Sequence, residues 1–162
     1  MPMSSQFYKT TKCPAAMIES KESAVQINPC VSLSFDGRCE AAFKFYEQCL
    51  GGKLTFVLTW GNSPMAKDAP PEWHAKICHA SLTVGGMDFA GSDVQPHQYE
   101  APRGFALLLG VDDPAGADRL FNALAENGKI LMPLQETFWA LRFGQVVDRF
   151  GIPWAINCEK AP

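Results

Sequence analysis

A stretch of this chain occurs twice. Residues 35–54, moved forward by 76 positions, place Asp36 on Asp112, Ala41 on Ala117, Phe45 on Phe121, Gly52 on Gly128, Lys53 on Lys129 and Leu54 on Ile130. Each copy reads as a strand, an acidic helix start, an amphipathic helix, a glycine stop and a second strand. A short unit used twice constrains the fold, because two similar modules must bury their apolar faces around one shared core. It also places the expected binding site where the modules meet.

At 162 residues the chain fits one compact domain or two small fused modules. A net charge of −3 without any long Lys/Arg cluster argues against a nucleic-acid or acidic-membrane partner. No apolar run approaches the ~20 residues of a membrane span. The six cysteines, Cys13, Cys30, Cys39, Cys49, Cys78 and Cys158, include no C-x-x-C pair and follow no secretory leader. They read as reduced thiols of a cytoplasmic protein, mostly small buried apolar groups.

Residues 1–25 lack periodicity and read as a poorly ordered extension outside the core. The first module, about 26–93, opens with a strand in which Val31, Leu33 and Phe35 alternate with Cys30, Ser32 and Ser34. Asp36 then caps a helix whose buried stripe is Ala42, Phe45, Tyr46 and Cys49, and Gly51-Gly52 end it. A strand at 53–60 carries Leu54, Phe56, Leu58 and Trp60 on one side. The segment 61–75 is a loop, long enough to suggest a role in function. Strands at 76–84 and 87–93 flank a Gly85-Gly86 hairpin turn. The second module, about 104–159, repeats the plan. A strand spans Phe105 to Val111, and Asp113 with Pro114 starts a helix. Its stripe is Ala117, Leu120, Phe121 and Leu124, Gly128 stops it, and strands follow near 129–135, 141–147 and 152–158. The order is βαβββ twice, an α+β fold.

This order, and the segments NPCVSLSFDGRCEAAFKFYEQCLGG, SPMAKDAPPEWHAKICHASLTVGG, GSD, VDDPAGADRLFNAL and PLQETFWALRFGQVVDRFGIPWAINCE, resemble the PhnB-like branch of the glyoxalase/bleomycin-resistance family, within the vicinal oxygen chelate superfamily. The resemblance covers residues 26–159. It implies two βαβββ modules curled into an incomplete barrel, helices on the convex side, a ligand in the concave cavity, and a homodimer.

Strand parity identifies the inward wall independently of that resemblance. If the larger apolar set of each strand packs under a helix, the residues left facing inward are Cys30, Ser32, Ser34, His79, Ser81, Ser92, Ala106 and Asn157. Small side chains there leave room for a ligand, where a packed core would place large ones; a wet lumen filled by loops is the alternative. His79 is the candidate acid, base or ligand-holding group, against a histidine that only bonds a neighbour in the sheet. His74 and His97 lie in loops and read as solvated. Trp73, Gln135, Phe138, Trp139 and Phe143 form an aromatic-rich set able to clamp a planar or apolar ligand, or alternatively to plug the barrel end or meet a partner. Arg142 is placed to hold a carboxylate or phosphonate, or to form a surface ion pair.

Members of the superfamily often bind a divalent ion through first- and last-strand His and Glu. Carried onto this chain, those positions fall near Cys30, Ala90, Ala106 and Ala155. Three alanines and one cysteine make no Zn, Fe or Mn site. The expectation is therefore no metal and no other cofactor, the alternative being a displaced site at His79, Asp88 or Asp93. PhnB-like proteins sometimes carry a 3-demethylubiquinone methyltransferase label, but no nucleotide-binding βαβ unit supports it here. Three readings follow: a metal-free small-molecule binding protein, an enzyme of lyase, isomerase, dioxygenase or transferase type using His79 or a displaced metal, and an interaction protein with a vestigial cavity.

Overall fold

The alternating and helical patterns of each repeat fold into one four-stranded sheet with one helix against it. The computed structural model describes residues 27–160, so the expectation for residues 1–25 lies outside them. The first module contains β1 (Val31–Phe35), α1 (Cys39–Leu50), β2 (Lys53–Thr59), β3 (Ile77–Val84) and β4 (Met87–Asp93). The second contains β5 (Leu107–Gly110), α2 (Pro114–Ala125), β6 (Lys129–Gln135), β7 (Ala140–Val147) and β8 (Pro153–Glu159). Strand orders are β1-β4-β3-β2 and β5-β8-β7-β6. In both sheets the first strand runs parallel to the last, and the other pairs are antiparallel. The two sheets do not close into a barrel. The fold is α+β, built from two βαβββ modules.

The helices begin differently. Asp113 accepts from Gly116 N at 2.7 Å with Pro114 at the first helical position, as its sequence predicts. Asp36 does not cap α1. Its carboxylate pairs with Arg38 at 2.7 Å, and the open Cys39 N–H donates instead to Asp93 Oδ1, 2.8 Å away at the end of β4. The same Asp93 accepts from Ile77 N at 2.8 Å, so one buried carboxylate fastens α1 to both β3 and β4. Gly51 ends α1 in the left-handed region at φ 67°. At α2 that conformation falls to Asn127 (φ 56°), not Gly128. Gly128 is required for another reason, since a Cβ there would stand 2.5 Å from the Val147 carbonyl oxygen.

The buried stripe of α1 is Cys39, Ala42, Phe43 and Tyr46. The expected Phe45 and Cys49 are only half-buried, because α1 packs against two partners. Phe43 and Cys39 press on the sheet at Gly91, where a Cβ would meet Phe43 Cζ at 2.4 Å. Phe45 and Tyr46 turn toward the second module, with ring centroids 5.8 Å from Phe150 and 5.3 Å from Trp154 respectively. Arg149 lies over Phe45 at 4.2 Å. Asp148 completes this joint. Its carboxylate accepts from Phe150 N, Ile152 N, Trp154 Nε1 and Tyr46 OH at 2.8, 3.0, 2.8 and 2.6 Å. Every lone-pair direction is used, which is what lets a carboxylate sit 3% exposed in a core. Burial, then the charge of Asp148, pushes the Tyr46 phenol far above its usual range.

Two register irregularities between β2 and β3 alter the faces predicted for those strands. In β2, Leu54 pairs with Leu82 but Phe56 pairs with Ser81, so Leu54 faces the helix while Phe56 and Leu58 face away. A second irregularity brings Ile77 into the core. Gly85 and Gly86, at φ 55° and 82°, form the two-residue hairpin turn between β3 and β4. The segment 61–75 is ordered by three 3-10 turns, at Trp60–Asn62, Ala66–Asp68 and Pro71–Trp73. The five described cysteines, Cys30, Cys39, Cys49, Cys78 and Cys158, are free. Burial drives the Cys39 thiol strongly upward and that of Cys49 up to about 11, so neither is a ready nucleophile. Among the described residues no helix is long and apolar enough to cross a membrane.

Candidate functional site

The parity argument holds in the strands that carry it. In β1, Leu33 and Phe35 are buried while Ser32 and Ser34 are exposed on the opposite face. β4 sets Ala90 beside Ser32 and Ser92 beside Ser34. β3 then sets Ser81 beside Ala90, and β2 sets Phe56 beside Ser81 and Leu58 beside His79. The result is a small-residue face edged by one phenyl ring. Asn28, Cys30, Thr55, His79, Ser81, Thr83, Asp88 and Ala90 line a 390 Å³ recess on it. His79 is exposed, 3.4 Å from Ser81 Oγ through Nε2 and 5.8 Å from the Phe56 ring. No carboxylate orients its ring among the described contacts. Asp88 accepts from Thr83 Oγ1.

The second module carries the equivalent recess, 380 Å³, lined by Gly104, Phe105, Ala106, Leu131, Gln145, Pro153 and Trp154. Gly104, Ala106 and Leu131 stand 76 positions after Asn28, Cys30 and Thr55. The chemistry of the two faces differs. Sheet pairing puts Gln135 beside Phe143 and Phe143 beside Asn157. Trp139 packs edge-on against Phe143 at 5.3 Å and against Phe138 at 4.5 Å. Phe138 is 90% exposed and Leu108 63%, so this face is apolar and open. The Asn157 side-chain oxygen has no hydrogen-bond partner among the described residues.

Three expectations are corrected. The candidate residues do not surround one hollow, because the modules meet on their helix sides through Tyr46, Phe150 and Trp154. Cys30, Ser32, His79 and Ser81 occupy one face, and Gln135, Trp139, Phe138 and Asn157 the other. The cavity at the seam itself is 590 Å³ and apolar, lined by Val31, Leu50, Met87, Phe89, Leu107 and Leu120 among others, and of the inward-wall candidates only Ala106 reaches it. Arg142 lies on the helix side of β7, since it pairs across the sheet with Cys158 and its Nε donates to Asp118 on α2 at 3.1 Å. Trp73 lies with Trp60 in a separate recess at the end of β4. Sequence reading missed Phe56, which the β2 bulge turns to the small-residue face, and Gln145, inward by its pairing with Ala155. Period-2 counting along β7 from Phe143 could have found Gln145, whereas a bulge leaves no such signal. His74 is structural: Nε2 sits 3.0 Å from the Ala66 carbonyl and 3.2 Å from that of Ala69.

The four positions expected for a metal are divided between the two modules. Cys30 and Ala90 lie on the first face, and Ala106 and Ala155 belong to the second module's sheet and recess. One thiol and three methyl groups do not fit a divalent ion. The described residues contain no group of three His, Cys, Asp or Glu side chains placed for one.

Two βαβββ modules, each a four-stranded sheet with one helix, define the fold class, and comparison with known proteins agrees. Residues 26–156 match the family described as Glyoxalase/Bleomycin resistance protein/Dioxygenase superfamily, and the chain belongs to it. It is 38% identical over 136 residues to protein YjdN of Escherichia coli strain K12, covering 79% of this chain and 92% of YjdN. The solved structure of protein PA1353 from Pseudomonas aeruginosa is similar at 45% identity with a TM-score of 0.75, covering 84% of this chain and all of that one. The PhnB protein from Bacillus cereus, described as a putative 3-demethylubiquinone-9 3-methyltransferase, shares the fold at a TM-score of 0.71 and 23% identity, covering 82% of this chain and 99% of its own.

Proposed function

We propose that the protein binds a small organic molecule between its two kinds of concave face, without the divalent ion used elsewhere in the superfamily, and that a homodimer completes the site. One observation carries this reading. The two recesses are equivalent by the repeat, but the faces that carry them differ: hydroxyl, thiol and imidazole groups stand on the first, and the Phe138, Trp139 and Phe143 rings pack together on the second. A hydrogen-bonding face orients a ligand and an aromatic face buries it, and a pocket needs both. Within one chain the faces are held apart by the helix-side core, so a second copy brings one face over the other. In this reading Ser32, Ser81, Cys30 and His79 hold the polar end of the ligand. Phe138, Trp139, Phe143 and Gln135 cover the rest, and Asn157 supplies an acceptor. His79 positions the ligand by hydrogen bonding. An enzymatic role for His79 as acid or base is supported by its sharing a recess with Asp88 and Cys30, although no group orients it for proton transfer.

The test is an NMR-detected screen of the untagged protein with small aromatic amides and carbonyl compounds. Bound compounds should shift His79 and Trp139 signals together, and His79→Ala should weaken them by about tenfold, the loss of one well-made hydrogen bond. Compounds that move neither residue, or a protein that light scattering shows to be monomeric at micromolar concentration, would exclude the shared site.

A further inference from the structure

The recess that captures Trp73 belongs to neither concave face. We propose that it is a second ligand site, selective for a small organic cation with a methylated ammonium head. Its lining is Trp60, Asp68, Ala69, Trp73, Asp93, Val94, Gln95 and Gln98, around 280 Å³. That volume lies just below the usual range for drug-sized ligands and calls for a small one.

Three properties argue for a cation. Two of the chain's four tryptophans line this one recess, and indole faces are the strongest neutral partners for a positive charge. The lining includes two acidic residues and no Lys, Arg or His. Asp68 is exposed and forms no ion pair among the described residues. Asp93 is buried, and its two oxygens are held by the Cys39 and Ile77 amides rather than by a cation. Lys76, which approaches Gly37 alongside Trp73, donates to the Gly37 carbonyl at 2.9 Å and does not line the recess. Third, Gln95 and Gln98 add amide oxygens that can accept from a hydroxyl on the same ligand.

The recess is preformed. Trp60 Nε1 donates to the Asp93 carbonyl at 3.3 Å, and its backbone N–H donates to Lys76 O at 2.9 Å. Gly61 N donates to His74 O and Trp73 N to Pro70 O, at 2.9 and 2.8 Å. The His74 ring ties the loop to the Ala66 and Ala69 carbonyls. A Cβ at Gly61 would stand 2.9 Å from that of His74, so the two loop strands are in contact. Binding would therefore order little additional chain, which favours affinity. The same bonds account for the ordering of a Pro-rich segment none of whose residues lines either concave recess.

The experiment is a tryptophan-fluorescence titration of the full chain with choline and with its neutral isostere 3,3-dimethylbutan-1-ol, repeated by calorimetry. Choline should bind saturably, and the alcohol at least about tenfold more weakly, because only the charge differs. Trp73→Leu should remove choline binding, and Asp68→Asn, an exposed change that leaves the fold intact, should weaken it severalfold. His79→Ala should leave it unchanged. Absence of saturable choline binding, equal affinity for the alcohol, or loss in His79→Ala with retention in Trp73→Leu would each overturn the proposal. Because His79 serves only the concave-face reading, failure here and failure there are distinguishable.

Discussion

Asp148 shows how one side chain can join two modules. It lies between β7 and β8, yet its second oxygen reaches Tyr46 on α1, 102 positions earlier in the chain. Asp148→Asn would turn an NH2 group toward donors, leaving buried groups unpaired, and should cost about 3 kcal/mol in urea unfolding. Tyr46→Phe removes one bond and should cost about 1.5 kcal/mol. At Gly91 the constraint is space: an alanine there meets Phe43 Cζ at 2.4 Å and Cys39 Sγ at 2.9 Å. Gly91→Ala should cost about 2 kcal/mol, and a paired Phe43→Leu should recover part of it in the same assay. The residue scale also carries a pH prediction. Cys39, Cys49 and Tyr46 all hold their protons more tightly folded than unfolded, chiefly through burial. The native state therefore binds more protons than the unfolded state at alkaline pH, and stability falls as pH rises. For Cys49 the loss begins near the usual thiol value and is complete once pH passes about 11. Urea midpoints should decline steadily above about pH 9, and combining Tyr46→Phe with Cys39→Ala should flatten that decline.

At the scale of elements, α1 and β5 explain why pattern reading goes only part of the way. The period of α1 was legible, but a helix with two neighbours buries two stripes, and a single-face template chose Phe45 and Cys49 over Cys39 and Phe43. β5 is only Leu107–Gly110, with β8 on one side and, among the described residues, no strand on the other. Its Leu108 stands 63% exposed on the concave side. An open edge bearing an exposed leucine invites association and has no charge to prevent it. Leu108→Lys should lower the fraction of dimer seen by analytical ultracentrifugation while leaving the unfolding midpoint within about 0.5 kcal/mol of the parent. A dimer of undiminished strength would remove β5 from the interface.

For the whole molecule, the repeat produces two recesses of similar volume, 390 and 380 Å³, on faces of unequal chemistry, and the proposed function rests on that inequality. A metal centre in this architecture would need donors from both modules, and the positions available offer a thiol and three methyl groups. Untagged protein should carry well under about 0.1 equivalent of Zn, Mn or Fe by elemental analysis, since such a set gives no stable coordination. Stoichiometric metal that departs on His79→Ala would instead support the displaced site.

Much of this architecture was readable before any coordinates. The duplicated plan, the element order, the Asp113-Pro114 helix start, the Gly85-Gly86 hairpin and the inward parity of Ser32, His79, Ser81 and Asn157 are local properties. They depend on backbone conformation and on a two-residue alternation that the chain carries wherever it lies. Three features could not be read this way: the turning of Phe56 by a bulge, the withdrawal of Arg142 to Asp118, and the capture of Trp73 beside Trp60. Nor could it be read that the modules meet through their helices and leave their concave faces apart. Each depends on contacts between residues tens of positions apart, where packing and the satisfaction of buried charge select among arrangements that local pattern leaves equivalent.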